Sequence, residues 1–221
     1  MRKASDILYR FRGLILALMA VLLLVTPLFL VSFPKKFSHM DSLDLTAVFC
    51  LYLMAFIFYA YGILLRIRSR QYIGQHTRGS KHEADELVTA GPYAYCRHPL
   101  YTSNTSIAVG AIIFNFDFNI FCPGIYFIIA IFIFEILLAR AEDRFLEEKF
   151  GDTWRAWAQR TPMSTADIHA IFGDKKTNSG VSLPQRTVFQ AFRADASTWF
   201  WFVFFNLIIV AIKIWTEYYN V

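Results

Sequence analysis

Apolar residues dominate four stretches of the chain, Leu14 to Phe33, Leu45 to Leu65, Ile120 to Leu138 and Thr198 to Trp215. Each is roughly 20 residues long, enough to cross a hydrocarbon core about 30 Å thick as an α-helix. A fifth, less uniform run extends from near Leu100 to Phe116, and Asn115, Asp117 and Asn119 then mark a tight turn into the next span. Those two spans are predicted to form a helical hairpin. Beyond it, Arg140, Glu142, Asp143, Phe145, Leu146, Phe150, Trp154 and Trp157 continue at helical spacing, broken by Gly151 and ended by Thr161-Pro162. This pattern predicts an amphipathic helix leaving the bilayer, with Trp154 and Trp157 as anchors at headgroup level. The fold expected is all-α, a polytopic membrane helical bundle of about five transmembrane helices.

Charge placement orients these helices, because short cytoplasmic loops are enriched in lysine and arginine. Arg2, Lys3, Arg10 and Arg12 precede the first span, and Arg66, Arg68, Arg70, Arg78 and Lys81 follow the second. Arg140, Arg144, Lys149, Arg155 and Arg160 follow the hairpin, whose turn near Asp117 has no basic residue. The amino terminus is therefore expected in the cytoplasm and the carboxyl terminus outside, although Lys35 and Lys36 run against the pattern. For a bacterial protein this means a multi-pass protein of the inner membrane.

Composition agrees: 56% hydrophobic, 18% aromatic and only 18% charged residues in a chain of 221 leave little soluble surface. A net charge of +5 suits anionic lipid headgroups, a surplus that inside-facing basic loops also produce. The expected partners are a membrane and a lipid or lipid-linked substrate, with no nucleic acid. Cys50, Cys96 and Cys122 lack metal-ligand spacing, as do His76 and His82, and no metal is expected. The first span exceeds a signal-peptide core and lacks a clear cleavage site, so it is expected to remain as a membrane helix.

Two polar clusters then stand out, Arg97 to Tyr101 and Arg140 to Glu148, at the two ends of the hairpin predicted to face the cytoplasm. Antiparallel neighbours bring such ends together into one site. Each residue also has a plainer role available. Arg97 could neutralise lipid phosphate, His98 before Pro99 could cap a helix, and Tyr93, Tyr95 and Tyr101 could belong to an aromatic belt.

The segments Ala84 to Tyr93, Arg97-His98-Pro99-Leu100-Tyr101, Glu142-Asp143-Arg144-Phe145-Leu146 and Phe150-Gly151 resemble the isoprenylcysteine carboxyl methyltransferase and phospholipid methyltransferase family. The family pattern is R-H-P-x-Y-x-G, a hydrophobic hairpin, then E-E. Here Ser103 replaces the glycine and Asp143 the second acid. The resemblance spans Arg78 to Pro162 and divides the chain into two N-terminal spans (1–77), a methyltransferase core with the hairpin and interfacial helix (78–162), and a linker with a C-terminal span (163–221). It implies an enzyme binding S-adenosylmethionine in a cytoplasm-facing pocket. By the same carry-over, Arg97, His98, Pro99, Tyr101, Gly91, Tyr93 and Glu142 would bind or shape the cofactor site.

Methyl transfer from a sulfonium to an oxyanion removes two opposite charges, so a site with little water favours it. Arg140 is expected to hold such an acceptor through paired hydrogen bonds, and Glu142 to face the positive part of the cofactor. An amine acceptor would need a base, with His98 or Glu142 as candidates. The competing functions are a membrane lipid or sterol reductase using NADPH and a non-catalytic assembly or transport protein. The acid pair after the hairpin favours methyl transfer, and the chain lacks the duplicated halves common in transporters.

Overall fold

The computed structural model of the protein describes residues 11, 13–16, 18, 19, 21, 22, 44–73, 84–115, 121–165, 167–173 and 184–219. Their regular structure is helical. Helix α1 (Leu45–Tyr72) starts where the Asp44 carboxylate accepts the Ala47 amide at 2.7 Å. A 3-10 turn (Gly91–Ala94) leads to α2 (Pro99–Phe114), whose first residue is the proline that helix starts tolerate. Helix α3 (Phe121–Phe150) joins the predicted second arm of the hairpin and the start of the continuation beyond it in one helix. It stops at Gly151, whose φ of 54° and ψ of −125° suit glycine alone, and α4 (Asp152–Ala158) follows. A short α5 (His169–Phe172) precedes α6 (Val188–Ala194), which opens with a Thr187–Gln190 capping box. The last helix, α7 (Ala196–Tyr219), departs from α6 at 65°.

Among the described residues, α1 and residues 124–150 of α3 are long and apolar enough to cross a membrane, and the bent α6–α7 pair makes a third if counted as one span. Helix α2, with 16 residues, is about 24 Å long, short of a full hydrocarbon thickness. Most of the predicted first span and the turn around Asp117 lie outside the described residues, as does the linker before α6. Large apolar side chains such as Phe49 and Phe56 on α1, Tyr126 and Ile133 on α3, and Phe200 and Leu207 on α7 are exposed, as lipid-facing surfaces require. Phe132 and Phe204 are exposed in the same way, whereas Phe134 is buried against Leu138.

Small residues set the closest helix contact. A Cβ on Gly62 would lie 2.7 Å from Ile107 Cγ1 and 3.0 Å from the Ser103 carbonyl, so α1 and α2 touch nearly backbone to backbone. Ser106 Oγ donates to the Phe58 carbonyl at 2.8 Å across this contact. Helix α7 also meets α1 at Tyr59, whose hydroxyl donates to Asn206 Oδ1 at 3.3 Å and whose ring packs against Phe202.

Candidate functional site

The Arg97–Tyr101 segment lies between the 3-10 turn and the first turn of α2. Gly91, at φ 59°, lies so close to the Tyr72 ring that any side chain there would overlap it. Tyr72, Leu87, Ala90, Tyr93 and Trp157 form the buried cluster beneath the turn. The Trp157 indole N–H donates to the Tyr93 carbonyl at 3.1 Å. Trp157 is only 5% exposed, so it is a core residue of this cluster and not the headgroup anchor its spacing predicted. Trp154 is half-buried beneath the Arg97 guanidinium, 5.8 Å from its ring centre.

Arg97 and His98 both reach Asp143 on α3. Arg97 Nη2 donates to Asp143 Oδ2 at 2.8 Å, while Nη1 donates to the carbonyls of Ala158 and Thr161, each at 3.0 Å. The backbone amides of Arg97 and His98 donate to the Pro162 and Met163 carbonyls at 2.9 and 3.2 Å, fastening the segment after α4 to the motif. His98 holds the N-cap position of α2 without capping it. Its Nε2 lies 2.8 Å from Asp143 Oδ1, its Nδ1 3.5 Å from Glu142 Oε2, and its ring stacks on Tyr101 with centroids 5.6 Å apart. Burial alone would lower the His98 pKa, but the hydrogen bonds to Asp143 and Glu142 outweigh it and raise the pKa to about 9. His98 is then an imidazolium at neutral pH, donating from both nitrogens. Asp143, at the second acid position, is engaged in orienting these two bases, and Glu142 is the acid left to line a cavity.

Two adjoining cavities meet at this motif. A polar one of about 440 Å³ is lined by Tyr93, Arg97, His98, Pro99, Tyr101 and Glu142 together with Arg66, Arg70, Asn104, Glu135, Asp195 and Thr198. The other, about 580 Å³, is largely apolar, with Ile57, Phe58, Val109, Phe132 and Ile136 in its wall. His98, Tyr101 and Glu135 border both and form a partition between them. Of the residues predicted for the site, Arg97, His98, Pro99, Tyr101, Tyr93 and Glu142 are brought together. Gly91 stands behind them as the close contact that sets the turn. Arg140 is not brought to them: it is exposed on α3 and borders neither cavity. Ser103, in place of the family glycine, is fully buried where α2 meets Gly62.

A second buried ion cluster went unread in the sequence. Arg66 Nε and Arg70 Nε both donate to Asp195 Oδ2, at 2.8 and 2.9 Å. Arg66 Nη1 donates to Asn104 Oδ1 at 2.6 Å, and Asn104 Nδ2 donates in turn to Glu135 Oε1 at 2.9 Å. Glu135 did carry a signal, since an acid inside an apolar span points to function by default. Arg66 and Arg70 were legible only as basic flanks of a span. Among the described residues, no cluster of three His, Cys, Asp or Glu side chains could hold a metal ion.

The fold and this site define a class, a helical membrane protein with a polar cavity set beside an apolar one at the end of a helical hairpin. Residues 50–153 match the profile of the phospholipid methyltransferase family. Over 150 residues the chain is also 30% identical to the cobalt-zinc-cadmium resistance protein CzcN of Cupriavidus metallidurans, covering 63% of this chain. The chain spans 59% of that relative's length. No solved structure matches.

Proposed function

We propose that the protein moves a methyl group from S-adenosylmethionine to an oxyanion of a lipid or lipid-linked acceptor. The observation that carries this reading is the partition. Residues of the family-matched stretch, Arg97 to Tyr101 and Glu142, line a polar cavity, and two of them, His98 and Tyr101, separate it from an apolar cavity of lipid-chain character. The donor set suits the cofactor: acids (Glu135, Glu142), bases (Arg66, Arg70, Arg97) and aromatic rings (Tyr93, Tyr101) together match a zwitterionic amino acid, a cation and a heterocycle.

When bound, S-adenosylmethionine supplies an electrophilic methyl group on a sulfonium. The chain's own residues supply orientation and a dry setting. Glu142 and Glu135 turn negative charge toward a cation, and Asp143 fixes Arg97 and His98 so that neither reorganises during reaction. The apolar cavity excludes water and strengthens attraction between opposite charges. With its pKa raised to about 9 by Asp143 and Glu142, His98 is a poor base at neutral pH, which leaves Glu142 as the base an amine acceptor would need. A carboxylate or phosphate needs no base, which favours an oxyanion. We read the polar cavity as facing the cytoplasm because of the basic residues at the adjoining ends of α1 and α3, such as Arg68 and Lys149.

Calorimetry on detergent-purified protein tests the reading. Saturable binding of S-adenosylhomocysteine and none of NADPH is expected. Binding of NADPH alone would overturn methyl transfer in favour of a reductase. In His98→Ala and Glu142→Ala, S-adenosylhomocysteine affinity should fall about tenfold each.

A further inference from the structure

We propose that α6 is an interfacial anchor, a short helix at the membrane surface that sinks Val188, Phe189 and Phe192 into the boundary between headgroups and acyl chains. Its partner is the bilayer itself, whichever ligand the cavities take. The three side chains occur at i, i+1 and i+4, which places them within an arc of about 100° on a helix. They are 60%, 71% and 44% exposed, whereas Ala191, to one side of the arc, is fully buried. Arg193 and Gln190 lie to the other side and are exposed. Protein, bilayer and water thus each have a sector of this helix. An exposed apolar arc edged by an arginine is the pattern of a helix lying in the interface.

The height of α6 says what covers the arc. The apolar run of α1 ends at Leu65, and the ties of α6 to α1 fall just past it. The Gln185 and Arg186 amides, leading into α6, donate to the Gln71 carbonyl at 2.7 and 3.1 Å, and Asp195, which ends α6, accepts from Arg66 and Arg70. Arg66 to Gln71 rises about 8 Å, comparable with the roughly 5–8 Å of headgroup region beyond the hydrocarbon core. Helix α7, with 24 residues, is about 36 Å long and reaches across that core without α6. The 65° bend between them then turns α6 closer to the membrane plane than to the axis of α7. Phe192 links the arc to the exposed Phe200, Val203 and Leu207 of α7: its ring stacks on Trp199 with centroids 5.2 Å apart, and the Trp199 indole donates to the Phe192 carbonyl at 2.8 Å. Aromatic rings with a polar edge collect at headgroup level. Because Asp195 also borders the polar cavity, the anchor holds that wall of the cavity at headgroup depth.

Photocrosslinking of the full-length protein in vesicles of phosphatidylethanolamine and phosphatidylglycerol tests the anchor. Benzoylphenylalanine replaces Phe189 in the arc, Gln190 in the water-facing sector, or Phe204, an exposed side chain of α7 that serves as the lipid-facing reference. Mass spectrometry counts the lipid adducts after irradiation, and Val188 takes the place of Phe189 should that variant fail to fold. The expected yield at Phe189 is within about twofold of that at Phe204 and at least about fivefold above that at Gln190. A yield at Phe189 no higher than at Gln190 overturns the proposal. So do adducts at Phe189 to a second copy of the chain in place of lipid, which would make the arc a protein interface. No cofactor is added, so the outcome stands apart from the methyl-transfer reading.

Discussion

His98 stands at the start of α2 yet gives its side chain to α3, and this exchange governs the pH response of the fold. Its pKa rises from 6.5 to about 9, so its contribution to stability is complete below 6.5 and is lost as pH climbs through 9. The amount at stake is on the order of a few kcal/mol. The thermal midpoint in detergent should therefore drop between about pH 7 and pH 10, and Asp143→Asn should flatten that slope by removing the partner that raises the pKa. A midpoint equally steep in both proteins would show that other groups set it. Arg140→Ala, by contrast, should leave stability within about 0.5 kcal/mol and S-adenosylhomocysteine affinity unchanged, because the side chain is exposed and borders neither cavity. At this scale the motif residues could be read in advance, since Arg97, His98, Tyr101 and Glu142 are close in sequence or joined by one hairpin. The real task of Asp143 could not, because it depends on which of two adjacent acids on α3 turns inward.

The helices themselves were legible from apolar run lengths, and the break at Gly151 from a glycine inside a helical pattern. What the pattern could not show is how closely two helices approach. Gly62 lies within an apolar run like any other small residue, yet its missing side chain is the space that the Ser103 carbonyl and Ile107 occupy. Gly62→Val should cost about 1–3 kcal/mol through overpacking and should also weaken ligand binding, since it pushes the start of α2 away from α1. Gly151→Ala faces open space and should cost about 1–3 kcal/mol from backbone strain alone, with ligand affinity retained. Thermal unfolding paired with S-adenosylhomocysteine titration of both variants separates the two causes. Loss of affinity in Gly151→Ala would mean that the α3–α4 break also shapes the cavity. Periodicity likewise placed Trp157 on an interfacial face, whereas the segment folding back onto Arg97 and His98 covers it.

Across the whole molecule, the tie least visible in the sequence is Asp195, which meets Arg66 at a separation of 129 residues and Arg70 at 125. No local spacing relates them; only the path of α6 and α7 back across α1 does. Asp195→Ala removes the carboxylate shared by two buried guanidinium groups and should cost about 3–5 kcal/mol, whereas Asp44→Ala, which removes an exposed helix cap, should cost about 1 kcal/mol. Denaturant or thermal unfolding of the two variants checks the ranking, and a smaller loss for Asp195→Ala would mean that the arginines find another counter-ion. The partition of His98, Tyr101 and Glu135 has its own consequence for turnover. On the methyl-transfer reading, two cavities of opposite polarity that meet at His98, Tyr101 and Glu135 let a greasy acceptor stay seated while a spent water-soluble companion is exchanged, so that successive rounds on one acceptor need not begin with its return to the bilayer.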